Sequence, residues 1–410
     1  MRLGIDARWL HEALINAPSY EVDDTELQIP GPADGEHGTL GGVGRYLQEM
    51  LPRLASRLAD AECVLGILKG HDTPAEMARL WPGSTTVGLT PRWRPPGGTL
   101  GLLARLPALR TERATRAALA PLALDVFLSS QQLVVPSPAW ARHHAVVCHD
   151  LAFIQFPELF YPSGRVPPSY RAHYARLATV EHHVAVSERT AEALMTVLNV
   201  PRSRITVTPE GVNPSFCVEG PAFSPGWSYA LCVGSGGPGK NVPMIVQGWI
   251  RARRHLRGLH LVLAGVSRER FHALTADMDS ADLSAVHRAA PRGDMQLATL
   301  YRGAAMLLIP SLVEGFGLPA LEAMACGCPV ITSSGTPMAD MVGEAALVVD
   351  PRELDHLADA ITRLSGDDEL RSRIVERGQR IVSSFTWEQT ADLTAAVIRD
   401  LAGRPGRYGA

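Results

Sequence analysis

Short, nearly unbroken apolar runs recur along this chain, each separated from the next by a stretch with helical periodicity, and few folds accept that rhythm. Arg2 to Ile5, Cys63 to Leu68, Val126 to Ser129, Ala145 to Cys148, His183 to Val186 and Ile205 to Val207 form one series. A strand that is apolar on both faces must be covered on both faces, as in parallel sheets flanked by crossover helices. The series therefore predicts a doubly wound α/β sheet. A second series predicts another sheet of the same kind: Tyr229 to Val233, His260 to Ala264, Met306 to Ile309, Pro329 to Thr332 and Ala346 to Val349. Between the two, Pro214 to Trp227 reads PSFCVEGPAFSPGW, rich in Pro and Gly and without periodicity, as interdomain linkers are. A length of 410 residues suits two such domains. The expected division is 1–213, a linker at 214–227, a second domain at 228–386, and a C-terminal helix and tail at 387–410 whose helix returns to the first domain.

Hydrophobic residues make up 46% and charged residues 20%, the mixture of a packed globular chain rather than a disordered one. A net charge of −3 gives no whole-protein attraction to nucleic acid, so any phosphate bound here is held locally. The six cysteines, Cys63, Cys148, Cys217, Cys232, Cys326 and Cys328, are scattered without a C-x-x-C pair or clustered ligand spacing. That spacing points to a reduced, cytoplasmic setting with no structural metal. The opening MRLGIDARWLHEALI is broken by Asp6, Arg8 and Glu12, so neither a secretory nor a spanning segment is expected there, and any membrane contact is peripheral.

The most informative stretch is VEGFGLPALE, Val313 to Glu322, which sets Glu314 and Glu322 on either side of a glycine turn. A strand leads in. Pro319 suits the first turn of the helix that follows, where its missing N–H costs little. The unpaired N–H groups of that helix, with those of Gly315 and Gly317, suit a pyrophosphate without any metal. Two carboxylates beside a phosphate site need a different partner, and vicinal hydroxyls of a ribose or hexose supply it, each donating to a carboxylate oxygen. The plainer alternative for Glu322 alone is a cap or ion pair within its own helix.

These residues resemble the large family of retaining glycosyltransferases with the two-domain B-type fold, whose hallmark is Glu, seven residues, Glu. The likeness continues in order through GGVG at Gly41 to Gly44, HDLAFIQFPELF at His149 to Phe160, VSERTAEAL at Val186 to Leu194 and VTPEGVN at Val207 to Asn213. It is strongest to the family 4, group 1 members that include mannosyltransferases of bacterial polysaccharide assembly. The resemblance implies two facing Rossmann-like domains, the first on the acceptor side and the second on the donor side. It implies that Glu322 binds the donor ribose and Glu314 a hydroxyl of the transferred sugar. Phe316, Gly317 and Leu318 count among the donor contacts, the last two through backbone N–H groups. His149 would sit beside the sugar, and Gly41 and Gly42 would approach the distal phosphate. A lone histidine is more often structural, but His149 follows an apolar strand, where site residues of such sheets lie.

Lys240 lies in YALCVGSGGPGKNVP, where a lysine can neutralise the phosphate that leaves with the nucleotide. Relatives carry Arg-Lys-Asn at this place; here Gly239 replaces the arginine, and only Lys240 and Asn241 match. Gly234, Gly236 and Gly239 also satisfy G-x-G-x-x-G after a strand, which alone suggests a dinucleotide enzyme. The next strand ends Ala264-Gly265-Val266, without the acidic residue that holds an adenosine ribose, so sugar transfer is the stronger reading.

Two segments lie outside these motifs. Arg92, Arg94, Arg105, Arg110, Arg113 and Arg116 line a stretch that reads either as a solvated helix face or as a basic surface for an anionic membrane and a lipid-linked acceptor. From His11 to Leu40 the chain holds Glu12, Glu21, Asp23, Asp24, Glu26, Asp34 and Glu36 without one Lys or Arg. If it borders the acceptor side, Asp23, Asp24 and Glu26 suit a cationic acceptor such as an amino sugar. The expected function is metal-independent, retaining transfer of a hexose from a GDP- or UDP-linked sugar to a saccharide or natural-product hydroxyl. The expectation includes no cofactor and no nucleic-acid partner. The alternatives are a nucleotide-sugar epimerase and a silent sugar-nucleotide binder of the same fold.

Overall fold

The computed structural model describes residues 1–8, 10, 26–30, 42–70, 75–89, 113–234, 236–256 and 258–405. It divides the chain into two units, one of 1–16, 41–211 and 387–410, the other of 17–40 and 212–386. The first is built on a seven-stranded parallel sheet: β1 Arg2–Asp6, β2 Glu62–Leu68, β3 Thr85–Leu89, β4 Leu124–Ser129, β5 Ala141–Cys148, β6 His182–Ala185 and β7 Ile205–Val207. Its order is β3-β2-β1-β4-β5-β6-β7. The second is a six-stranded sheet of β8 Ser228–Val233, β9 Leu259–Ala264, β10 Val286–Ala289, β11 Met306–Ile309, β12 Val330–Ser333 and β13 Leu347–Val349, in the order β10-β9-β8-β11-β12-β13. Both are doubly wound, and each reverses direction once, between β1 and β4 and between β8 and β11.

The central strands are buried because helices cover both faces. In the second unit, Leu261, Leu263, Met306 and Leu308 pack with Trp249, Ile245 and Val246 of the helix Val242–Arg253 and with Leu357 and Ile361 of the helix Leu354–Gly366. In the first, Val146, Cys148 and Ala185 pack under Tyr174, Leu177 and Leu194. The helix Trp387–Gly403 belongs to the first unit, as expected, and lies on the helix Gly42–Arg57. Trp387 meets Tyr46 edge to face at 6.0 Å, and Thr390 Oγ1 donates to the Pro209 carbonyl at 2.5 Å. Arg53 pairs with Glu388 at 2.9 Å and Arg57 with Asp392 at 2.5 Å.

The sheets differ from the sequence expectation in one systematic way. Two strands were not anticipated, β3 (TTVGL) and β10 (VHRA), and each is the outermost strand beyond β2 or β9. β3 is largely exposed and begins Thr-Thr, whereas β10 is mostly buried yet carries His287 and Arg288, so neither shows the apolar run that marks its inner neighbours. The domain limits also need correcting, because Glu26 to Pro30 belongs to the second unit rather than the first. Leu27 N donates to the Arg288 carbonyl at 3.1 Å, and Glu26 forms a parallel bridge with Arg288 that covers part of the β10 edge.

All six cysteines are unpaired, and among the described residues no helix is long and apolar enough to cross a membrane. Of the six arginines singled out above, Arg113 and Arg116 are described; both are exposed on a helix at 113–119 whose inner face carries Thr115 and Leu119. The other four lie outside the described residues.

Candidate active site

In a doubly wound sheet the loops leaving the two strands at the reversal run in opposite directions, which opens a crevice at their carboxyl ends. In the second unit those loops are Gly234 to Asn241 after β8 and Pro310 to Gly317 after β11. The first folds through Gly234 (φ 146°) and Gly236 (φ 75°) into a 3₁₀ turn at Pro238–Lys240, and Asn241 (φ 56°) then switches the chain into the helix Val242–Arg253. This turn explains why the G-x-G-x-x-G match misleads: Gly239 lies in the 3₁₀ turn, not in the helix, and its carbonyl accepts from Leu312 N at 2.8 Å. The amide of Asn241 donates to the Pro310 and Pro351 carbonyls at 3.1 and 2.7 Å. Asn241 thus holds the two loops together through its side-chain N–H groups.

Those ties bring Lys240 and Glu314 together. Lys240 Nζ lies 2.7 and 3.0 Å from the two carboxylate oxygens of Glu314, Ser311 Oγ donates to Glu314 Oε1 at 2.6 Å, and Ser333 Oγ donates to the Ser311 carbonyl at 2.5 Å. The lysine side chain is 30% exposed and the glutamate 9%. An ammonium has three N–H donors. Glu314 holds the cation, which is part-exposed, without exhausting those donors. Arg270, at the start of the helix Arg268–Thr275, flanks the same turn from the β9 side: a Cβ on Gly236 would come within 3.2 Å of Arg270 Cγ. Its side chain is exposed.

The helix Leu318–Ala325 begins at Gly317 with no side-chain cap and no acidic residue in its first turn; Pro319 has no N–H and Ala320 N donates to the Gly317 carbonyl at 3.1 Å, so the Leu318 N–H is the one at this start that can meet an anion. Gly317 (φ 113°) has no alternative, since a Cβ there would meet Met338 Cγ at 2.0 Å. Phe316 is buried against Phe385 at 5.8 Å, and Leu318 is buried at the helix start. Glu322 is 2% exposed and accepts a hydrogen bond from Tyr301 OH at 3.0 Å. The two carboxylates of the motif therefore differ: one faces a lysine near solvent, the other is buried against a phenol.

At the reversal in the first unit, β1 ends in Asp6, whose carboxylate holds Arg8 Nε and Nη2 at 2.9 Å each, both side chains being buried. His149 follows β5. Its backbone N donates to Gln132 Oε1 at 3.1 Å, Nδ1 lies 3.2 Å from Glu210 Oε1, and Nε2 lies 3.0 Å from the Ser130 carbonyl. Tyr46 meets the ring edge-on at 5.2 Å, and the side chain is 12% exposed. Burial works to lower the His149 pKa, but the hydrogen bond and charge of Glu210, the Ser130 carbonyl and the Asp150 charge outweigh it, so the value is raised. Gly42 opens its helix and is exposed, with nothing within 4 Å of a Cβ there.

Gly41, Asp23 and Asp24 lie outside the described residues. Glu26 is described, and its place corrects the expectation that it waits for a cationic acceptor. Its Oε2 lies 3.2 Å from Arg288 Nη2, with both side chains buried, so its charge is already matched. Sequence reasoning passed over Glu210, Ser311, Tyr301 and Arg270. Glu210 carried a signal, a charged residue inside the otherwise apolar VTPEGV; the other three carried none.

Two doubly wound domains with a lysine–glutamate pair and an uncapped helix start at the carboxyl end of the second sheet define a B-type glycosyltransferase architecture. Family models match in succession: Glycosyltransferase Family 4 over residues 40–216 and Glycosyl transferases group 1 over 222–381. The chain belongs to this family of glycosyltransferases. It is 28% identical over 265 residues to O-antigen chain mannosyltransferase B of Escherichia coli, covering 60% of this chain and 67% of that one. It is 29% identical over 418 residues to a D-inositol 3-phosphate glycosyltransferase of Acidothermus cellulolyticus, covering 92% and 89%. Sucrose-phosphate synthase of Thermosynechococcus elongatus superposes with a TM-score of 0.72 at 19% identity, over 98% of this chain and 99% of that one. Anabaena HepE, solved with UDP and glucose, gives 0.66 at 16% identity over 98% and 100%, a likeness of fold.

Proposed function

We propose that this chain transfers a hexose from a nucleotide-diphosphate sugar, GDP- or UDP-linked, to a hydroxyl of a saccharide or natural-product acceptor, with retention of configuration and without a metal ion. The observation that carries the reading is the Lys240–Glu314 pair beside the uncapped start of the helix Leu318–Ala325. In this reading Lys240 and the Leu318 N–H take the charge of the departing diphosphate, which a lysine and an oriented N–H dipole do without a divalent cation. Arg270 stands in for the arginine absent at Gly239. Glu314 accepts from a sugar hydroxyl and Glu322 from the ribose, and, as the resemblance implies, Gly42 approaches the distal phosphate and His149 the sugar. Retention then needs no protein nucleophile, because the leaving phosphate takes the proton of the acceptor hydroxyl on the face it departs from. The buried Cys232 thiol has its pKa pushed up to about 12 by burial and suits no nucleophilic role. The names of the relatives support a sugar or polyol acceptor, and the HepE complex supports a nucleotide-linked donor.

A thermal-shift screen over GDP-, UDP- and dTDP-sugars, followed by nucleoside diphosphate release with and without candidate acceptors, tests the reading. The expected result is one donor class that raises Tm, and release that requires an acceptor, persists in EDTA and yields the retained anomer. Conversion of the sugar without an acceptor would establish an epimerase. Donor binding without any turnover would establish a silent binder.

A further inference from the structure

We infer that His149 stands as an imidazolium held by Glu210, and that Glu210 is therefore a positioning residue of the site. The inference rests on the transfer reading for its catalytic consequence, but not for the protonation state itself. Both ring nitrogens face atoms that only accept: Nε2 lies 3.0 Å from the Ser130 carbonyl and Nδ1 lies 3.2 Å from Glu210 Oε1. A neutral imidazole has one N–H. Whichever nitrogen carried it, the other would turn a lone pair toward an oxygen lone pair, in a place where Glu210 is 4% exposed and the histidine side chain 12%. The pair therefore holds a proton on each side of the ring, and the one it shares with Glu210 rests on nitrogen, because imidazole is the more basic partner by about two units in ordinary surroundings.

The other neighbours agree with this charge. Asp150, next in the chain, adds a second negative charge, and Tyr46, from the helix Gly42–Arg57, presents a buried phenol whose pKa is raised by burial. Thr190, from the helix Glu188–Leu198, donates to the His149 carbonyl at 3.3 Å, and Gln132 accepts from its backbone N–H. Among the described residues, no cation acts on the ring. With no lone pair free on either nitrogen, His149 does not take the proton of an acceptor hydroxyl. It supplies a fixed positive charge, and the proton must go elsewhere, as phosphate-assisted retention requires.

The test is ¹⁵N–¹H NMR of the imidazole groups in the full chain, with the His149 signals assigned by their loss in either His149→Asn or His149→Gln. Assignment is needed because His143 is also held between a carboxylate, Glu181, and a carbonyl, that of Arg404. At pH 7.5 both nitrogens of His149 should carry protons, and in Glu210→Gln only one should. In turnover, Glu210→Gln should lower kcat about tenfold with KM for donor little changed, and should introduce a loss of activity with rising pH that the native chain lacks, because burial then lowers the His149 pKa without the opposing carboxylate. It should cost nothing further in a His149→Asn background. A single protonated nitrogen in the native chain at pH 7.5, or equal loss from Glu210→Gln with and without His149, would overturn the inference. Absence of sugar transfer under every condition would sink the transfer reading alone, since the NMR result does not depend on activity.

Discussion

The two reversal points share one topology and treat charge in opposite ways. In the first unit, Asp6 and Arg8 close on each other and His149 is enclosed by Glu210 and Ser130, so the ionic groups satisfy one another inside the fold. In the second, Glu314 holds Lys240 at the surface of the crevice, with the start of a helix uncapped beside it. A closed bidentate pair fixes a loop, whereas a lysine with spare donors beside an unpaired N–H awaits an anion. The same architecture thus yields a rigid wall in one unit and a receptive site in the other.

The sharpest way to break this comparison is to remove one charge from each. Arg8→Met takes from the buried Asp6 carboxylate the guanidinium that holds it, and loss of one member of a buried pair costs ~3–5 kcal/mol, so the urea midpoint should fall well before any effect specific to turnover appears. Lys240→Ala should do the reverse. It removes a group that acts on developing charge, worth about a hundredfold to a thousandfold in kcat, while the 30% exposure of the side chain predicts little change in Tm. If Lys240→Ala lowers Tm more than Arg8→Met, the assignment of rigid and receptive sides is reversed.

A second contrast lies within the motif itself. Glu322→Ala removes a buried acceptor that Tyr301 already uses, and a lost charge-assisted hydrogen bond is worth ~1.5–3 kcal/mol, so donor affinity should fall tenfold to a hundredfold, read by calorimetry. Unchanged affinity in a folded variant would confine Glu322 to its bond with Tyr301.

Two glycines divide in the same manner. Gly317→Ala drives a Cβ into Met338 at a left-handed position, and overpacking of that kind typically costs ~1–3 kcal/mol, visible in Tm. Gly42→Ala meets nothing within 4 Å, so Tm should hold while donor KM rises if the position serves a ligand. The smallest effect belongs to the C-terminal helix. The Asp392 pKa is lowered by Arg57; that of Glu388 is raised by burial but lowered further by Arg53, with a net depression. A depressed carboxylate contributes stability that is present above its unfolded value, ordinarily about 4, and lost as pH falls through the folded one. Trp387 fluorescence should therefore report loosening of this helix only below about pH 4, and Arg57→Ala should loosen it already at neutral pH while weakening that acid dependence.

Most inner strands were legible because burial on both faces leaves an apolar run that no local context disguises. The outer strands β3 and β10 were not, since an edge strand such as TTVGL owes its conformation to the neighbour it pairs with. Glycine spacing after β8 suggested a dinucleotide site, but whether the third glycine enters the helix or a 3₁₀ turn depends on the bond from Leu312 in a distant loop. Likewise the acidic segment suited a cationic acceptor, yet Glu26 is neutralised by Arg288, 262 residues away.

What the sequence determined by itself was the class of fold and the address of the site, because periodicity and turn residues are properties of consecutive positions. It fixed Lys240, Glu314 and the helix start as neighbours of strand ends. Only the tertiary structure decided the state of those groups. Whether a carboxylate faces a lysine, a phenol, an arginine or an imidazole depends on side chains brought together from opposite ends of the chain. Those partners set charge, orientation and access, as they do for Glu314, Glu322, Glu26 and Glu210.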